Sequence, residues 1–303
     1  MGRSRRAVAP GSDGDVTLDA AVIAGMIGLG VVAGALGALV GIGGGVVLVP
    51  ALVLVFGLDF RVAVAISLVA VIATSTAAGS VYVAAGQTNM RLGMTLEIAT
   101  TAGGITGGLL ATAVPTTWLA LLLAGMLIVT AVLLLRQRGS RGQRGDAADD
   151  GTEGYEIPGR LAGAFVDPRT GDLVAYEATR LWLGSGVSAL AGVVSGLLGV
   201  GGGFLKVPAT HLGMGVPVKV AAATSNFMIG VTALSSFAVY LARGFVHPYP
   251  ASLVAVGVTG GSLLGARLQG RASPAVLRYV LTAVLVAVAV QLVLRAVGGG
   301  LDG

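Results

Sequence analysis

The chain has no cysteine among its 303 residues. That removes disulfides, thiolate nucleophiles and Cys-ligated metals. Histidine is nearly as scarce: His211 and His247 stand alone, with no carboxylate cluster beside them, so no metal site is readable. Charge is short too. Only 11% of residues are Asp, Glu, Lys or Arg against 55% hydrophobic, and the mean hydropathy is +0.90. So few charges could not clothe so apolar a chain in water. Aromatics are 5%, and no basic strip is interleaved with them, so a pI near 10 does not argue for nucleic acid. No nucleophile–base pair, cofactor motif or ATP-binding motif is present, which argues against an enzyme. Beyond Arg180 the one acidic residue is Asp302, while Lys206, Lys219, Arg243, Arg267, Arg271, Arg278 and Arg295 are basic. A membrane half so poor in carboxylates suits an anion better than a cation.

What the chain has in plenty is long apolar runs, at about 20–40, 62–85, 92–114, 117–135, 181–198, 216–242, 250–268 and 275–297. About 20 apolar residues make a helix that crosses a bilayer. Two further runs, 46–57 and 204–213, are too short to cross alone. The expected fold is therefore an all-α, multi-pass membrane protein of about eight transmembrane helices in two four-helix repeats, each with a glycine-broken segment. The 50 glycines suit close helix packing and interrupted helices.

The repeats show in an offset of 158 residues. Gly41–Pro50 (GIGGGVVLVP) recurs as Gly199–Pro208 (GVGGGFLKVP), and the same offset pairs Ser67 with Ser225, Thr74 with Thr232, Tyr82 with Tyr240 and Gly103 with Gly261. Matching Gly/Pro-interrupted segments in two halves point to a transporter binding site. The expected organisation is a disordered tail at 1–19, a first membrane repeat at 20–136, a hydrophilic linker at 137–180, a second repeat at 181–297 and a tail at 298–303. The stretch from Arg136 to Arg180 holds 15 of the 33 charged residues, and the linker's Phe165–Val174 stretch has the turn residues of a small hairpin. Arg3–Arg6 before an apolar run resembles a secretory signal, but cleavage would destroy the duplicated motif, so a retained span is expected.

Arg136, Arg138, Arg141 and Arg144 at a span end predict a cytoplasmic linker. An even number of crossings per half gives parallel repeats with both termini inside. An odd number gives inverted repeats with both termini outside. Arg3, Arg5 and Arg6 lean toward an inside N-terminus, and the short runs could return as half-helices, so both topologies stand.

Three successive glycines in each copy, Gly43, Gly44 and Gly45 and then Gly201, Gly202 and Gly203, weaken a helix by about 1 kcal/mol each relative to Ala. Backbone groups freed there must face protein, water or ligand. The half-helix that follows presents bare N–H groups and a positive dipole end, a place for an anion. A dinucleotide loop is excluded, since no strand precedes the glycines and no acidic residue follows at the required distance. Pro50 and Pro208 each remove a donor and kink or end the half-helix. Lys206 lies one turn after the second break, opposite Leu48 in the first copy, and a charge at that depth argues for function. Ser67, Thr224, Ser225 and Asn226 fall closest to the breaks among the small polar residues and complete the candidate substrate set; Asn226 matches Leu68. Glu97 is the one acidic residue clearly inside a span. It could carry a proton, but Arg91 six residues away suggests an interfacial ion pair.

The Gly41–Pro50, Gly199–Pro208 and Ala221–Gly230 (AAATSNFMIG) stretches resemble the repeat signatures of the sulfite exporter TauE/SafE family, over about 22–297. The resemblance implies about eight spans from a duplicated four-span unit, and transport of small anions such as sulfite or organosulfonates across the cytoplasmic membrane of a prokaryote. The charged linker departs from the pattern but leaves the motifs intact. The expectation is a secondary transporter, an exporter by the family's name, working by alternating access. The alternatives are an anion channel, or a membrane scaffold or sensor with the linker as its partner site. The bilayer and a small anion are the expected partners, no cofactor is implied, and homo-oligomerisation stays open.

Overall fold

The computed structural model describes residues 20–40, 43–136, 161–166, 173–268 and 274–297. The expected tails at 1–19 and 298–303 and most of the linker lie outside them. The described residues form ten helices and one hairpin. The first part holds α1 (Ala20–Val40), α2 (Gly45–Leu54), α3 (Phe60–Ala84), α4 (Met90–Ala113) and α5 (Thr116–Arg136). The strands β1 (Ala162–Val166) and β2 (Leu173–Glu177) pair antiparallel, with Ala164 opposite Ala175. Then come α6 (Leu181–Leu198), α7 (Gly203–Pro208), α8 (Val218–Ala242), α9 (Pro248–Leu268) and α10 (Pro274–Val297). A π-helical stretch, Ala209–Gly213, prolongs α7 beyond its proline.

Six helices, α1, α3, α5, α6, α8 and α9, are long and apolar enough to cross a membrane. In α4, 24 residues long, Glu97 with several threonines and glycines dilutes the apolar content. In α10 the apolar stretch is shorter, Thr282–Arg295. The molecule is thus a multi-pass helical membrane protein. The two short runs became α2, ten residues or about 15 Å long, and α7 with its π extension. Each covers half of a bilayer core of about 30 Å.

Helix ends follow local chemistry. The Asp59 carboxylate accepts from the N–H groups of Arg61 (2.8 Å) and Val62 (3.3 Å) and opens α3. Asn89 opens α4 by accepting from Leu92 N–H at 3.0 Å. The half-helices begin differently. Gly44 (φ 74°) and Gly202 (φ 68°) precede α2 and α7 in the left-handed region, where glycine sits without steric cost. The offset of 158 relates these two glycines, and it relates helix bounds as well: α3 at 60–84 and α8 at 218–242. Tyr82 donates to the Ala38 carbonyl and Tyr240 to the Gly196 carbonyl, both at 3.1 Å, again 158 apart.

These two tyrosines also set direction. They tie the last turns of α3 and α8 to the last turns of α1 and α6, so α1 runs parallel to α3 and α6 to α8. The chain must therefore come back between them. Gly44 and Gly202 lie beside the carbonyls of Ala33 and Ala191, well before the ends of α1 and α6. So α2 and α7 return rather than continue.

Glycine seams hold the bundle together across the middle of the chain. Gly30 and Gly34 of α1 press on the backbone of Val254 and Val258 in α9, while Gly257, Gly261 and Gly265 press back on Ile27, Val31 and Ala35. Gly103 and Gly107 of α4 meet Ala189 and Val193 of α6, and Gly192 and Gly196 meet Thr100 and Gly104. Without side chains between them the backbones approach to van der Waals contact, which is the main attraction available in lipid. The α3 and α8 helices pack antiparallel at the centre, with Ser75 donating to the Asn226 carbonyl.

The seams yield a contrast. A methyl added at Gly107 would strike the Val193 backbone, whereas one at Gly125 in α5 would meet nothing within 4 Å. Gly107→Ala should destabilise by about 2 kcal/mol or more, and Gly125→Ala should be neutral or stabilise by up to about 1 kcal/mol. Thermal unfolding of the two variants in detergent checks this.

Candidate functional site

The two breaks meet inside the protein. Gly43, Gly44 and Gly45 are buried, as are Gly199, Gly201, Gly202 and Gly203. Gly45 sits against the Gly199 carbonyl and the Ser67 hydroxyl, and Gly43 lies against Ile229 of α8 and Val71 of α3. Ser67 donates to the Gly199 carbonyl at 2.8 Å, so a side chain behind the first break secures the second. In α2 the N–H groups of Val47 and Leu48 turn back to the Gly44 carbonyl; in α7 those of Leu205 and Lys206 turn back to Gly202. The N–H groups before these have no acceptor within their own helix.

Lys206 is fully buried. Its ammonium donates to Thr232 Oγ1 at 2.8 Å, and Thr232 Oγ1 lies 2.9 Å from Glu97 Oε1 and 2.9 Å from the Met228 carbonyl. Thr101 donates to the same Glu97 oxygen at 3.4 Å. The second carboxylate oxygen, Oε2, is buried without a hydrogen-bond partner. One hydroxyl thus bridges a buried ammonium and a buried carboxylate. The sequence-based expectation of a Glu97–Arg91 pair at the interface is not met: Arg91 is exposed, and Glu97, only 7% exposed, turns inward to α8. Nor does the second part of the chain lack a counter-charge, because α4 of the first part supplies it. By the offset the equivalents are Leu48, Thr74 and Ala255, so the charged bridge occurs once. Thr74 keeps only the bond to its own helix, at the Ala70 carbonyl, 2.8 Å away.

The other candidate residues divide. Thr224 Oγ1 accepts from the Asn89 N–H at 3.0 Å, a bond that fastens α8 to the start of α4. Ser225 Oγ and both polar atoms of the Asn226 amide are buried and without hydrogen-bond partners. Leaving such groups bare costs about 1–3 kcal/mol each, and Asn226 is fully buried. Ile229, one turn along α8 from Asn226, is the side chain that lies on Gly43. Ser195, near the end of α6, is also fully buried with an unpartnered hydroxyl. Sequence reasoning passed over Ser195. Its signal was there: the offset pairs it with Gly37, so the second copy carries a hydroxyl where the first carries none.

The hairpin closes over one end of the bundle. Asn89 Nδ2 donates to Tyr176 OH at 3.1 Å, Thr179 N–H donates to the Met214 carbonyl at 3.1 Å, and Tyr176 and Val174 pack near Leu92, Met214 and Val220. Burial pushes the Tyr176 phenol above its usual range, against the bond from Asn89.

Interrupted helices that meet inside an apolar bundle, with buried, unpartnered polar groups elsewhere in it, mark a multi-pass membrane protein. Comparison with known proteins narrows the class. Residues 26–292 match the model of the family described as "Sulfite exporter TauE/SafE", and the chain belongs to that family. It is 25% identical over 289 residues to the "Probable membrane transporter protein YunE" of Bacillus subtilis, covering 90% of this chain and 97% of that protein. It is 34% identical over 123 residues to "Sulfite exporter TauE/SafE family protein 2" of Arabidopsis thaliana, 38% of this chain and 26% of that one. No solved structure matches the chain. The chain is therefore a membrane transporter by family.

Proposed function

We propose that the protein is a secondary transporter that moves a small oxyanion, sulfite or an organosulfonate, across the cytoplasmic membrane by alternating access around the paired breaks. The observation that carries this reading is the Asn226 amide, fully buried with no partner for either polar atom, on the helix whose Ile229 lies against Gly43 of the first break. An amide N–H₂, the Ser225 hydroxyl, the glycine-break N–H groups and the Lys206 ammonium are all donors suited to oxyanion oxygens. The reading takes the helices as two repeats of inverted topology, related by the offset of 158. With the arginine-rich linker in the cytoplasm and an odd number of passes per repeat, α1 starts and α10 ends outside. Export is the net direction when the anion accumulates inside.

Uptake of labelled sulfite and of a panel of labelled sulfonates into proteoliposomes tests the reading. Saturable flux of one of them supports it; folded protein that moves none overturns it.

Asn226→Leu offers a sharper test, because it installs the residue that the first repeat carries at the equivalent Leu68. Removing an unsatisfied buried amide should leave stability equal or raise it by about 1 kcal/mol. Sulfite flux should fall at least tenfold. Stability from thermal unfolding and flux from proteoliposomes should then move in opposite directions, which a purely structural asparagine would not produce.

A further inference from the structure

We infer that Glu97 couples a proton to the anion, one for one, by acting as the exchangeable counter-charge of Lys206. This rests on the oxyanion reading above and adds the coupling ion to it. Lys206, Thr232 and Glu97 form a bridge buried from solvent, spanning α7, α8 and α4. The elements packed against α4 are α6 and α8. No titratable residue lies in α6, and the side chains of Lys219, in the first turn of α8, and Arg243, just after α8, are exposed. Tyr240 of α8 gives its hydroxyl to Gly196. Lys206 is thus the charge that faces Glu97 among the described residues.

With no anion bound, ammonium and carboxylate neutralise each other. An oxyanion that engages Lys206 takes over as its counter-charge and leaves the carboxylate as an unbalanced negative group in a medium that does not tolerate one. One proton taken from the entry side restores neutrality, and Glu97 Oε2, which has no other partner, is the atom free to accept it. On the exit side the anion departs from Lys206, the proton leaves Oε2, and the original bridge closes again. For a singly charged anion, such as bisulfite or methanesulfonate, the sum is one anion and one proton moved in the same direction, with no net charge carried. Such transport answers to the pH gradient and is blind to membrane potential. Outward movement then requires the anion gradient to exceed the opposing proton gradient.

The experiment uses the full chain in proteoliposomes loaded with a pH-sensitive dye, with sulfite and methanesulfonate as probes; methanesulfonate carries no proton of its own. The expected result is acidification of the lumen together with anion entry. Initial rates of methanesulfonate entry should rise with an inward proton gradient and should not change when a potassium–valinomycin potential is imposed. Glu97→Gln should lose gradient-driven accumulation at least tenfold and keep measurable anion-for-anion exchange, and Glu97→Asp should recover part of the accumulation. Anion entry without proton movement, or methanesulfonate flux that follows the potential, overturns the coupling and leaves the transporter reading standing. A wild-type protein that moves neither probe nor any sulfonate of the panel overturns both.

Discussion

Lys206→Ala is expected to abolish sulfite flux, at least a hundredfold, and to destabilise the protein at the same time. The two effects have different origins. Removing the ammonium strands Glu97, 7% exposed and already with one bare oxygen, as a buried charge without compensation. Breaking one side of such a pair costs about 3–5 kcal/mol. The double variant Lys206→Met with Glu97→Gln removes both charges and should recover most of that stability, since replacing a buried pair by neutral groups is often neutral or favourable. Flux should stay absent in the double variant, because the anion still lacks its cation. Leu48→Ala, at the equivalent place in the first copy, opens a cavity at a fully buried position and should cost about 2–5 kcal/mol, with flux per folded molecule little changed. Thermal unfolding and flux on all three variants separate the roles. Recovery of flux in the double variant would show that Lys206 serves the fold alone.

Gly45→Ala carries the second large expectation. The added methyl would lie 2.5 Å from the Gly199 carbonyl oxygen and 2.9 Å from Ser67 Oγ, closer than atoms pack. Gly45 has no left-handed backbone angle to lose, so the substitution tests packing at the junction of the breaks and α3 rather than backbone conformation. Backbone on one side leaves little to yield; α2 must move away from Gly199, and the Ser67 bond stretches with it. A destabilisation of about 1–3 kcal/mol follows from overpacking, with flux down at least tenfold. Gly79→Ala in α3 is the control, since its methyl meets nothing within 4 Å. Normal flux from Gly45→Ala would mean that the junction of the breaks is not where solute passes.

How much was readable beforehand follows from the range of each interaction. Apolar runs and glycine clusters act locally, so the long helices and the short α2 and α7 could be placed within a few residues. The hairpin was readable from its turn residues, and its strands reach three residues further on each side than Phe165–Val174. The return of α2 and α7 was not readable, because spacing alone does not say whether a chain leaving Val40 goes on or doubles back. That depends on Gly44 settling beside Ala33, a contact between backbones that no side chain announces. The charge bridge was hidden for a different reason. Glu97 and Thr232 are 135 positions apart and belong to different halves. Reading each half by itself left Lys206 without a carboxylate and sent Glu97 to a nearby arginine. Rarity of charge pointed at both residues, yet only the seam between α4 and α6, with α8 alongside, brings them to one hydroxyl.

Those seams also govern how the protein can be made. The glycine flank of α1 finds its partner in α9, more than two hundred residues later in synthesis. During translation α1 therefore waits in the bilayer with a bare flank, open to lipid or to foreign helices, until α9 has left the ribosome. Assembly cannot finish piecemeal from the N-terminus, as it does in chains whose neighbouring elements pack together. A nascent chain stalled anywhere before α9 is left with an unmatched flank that quality-control proteases can recognise.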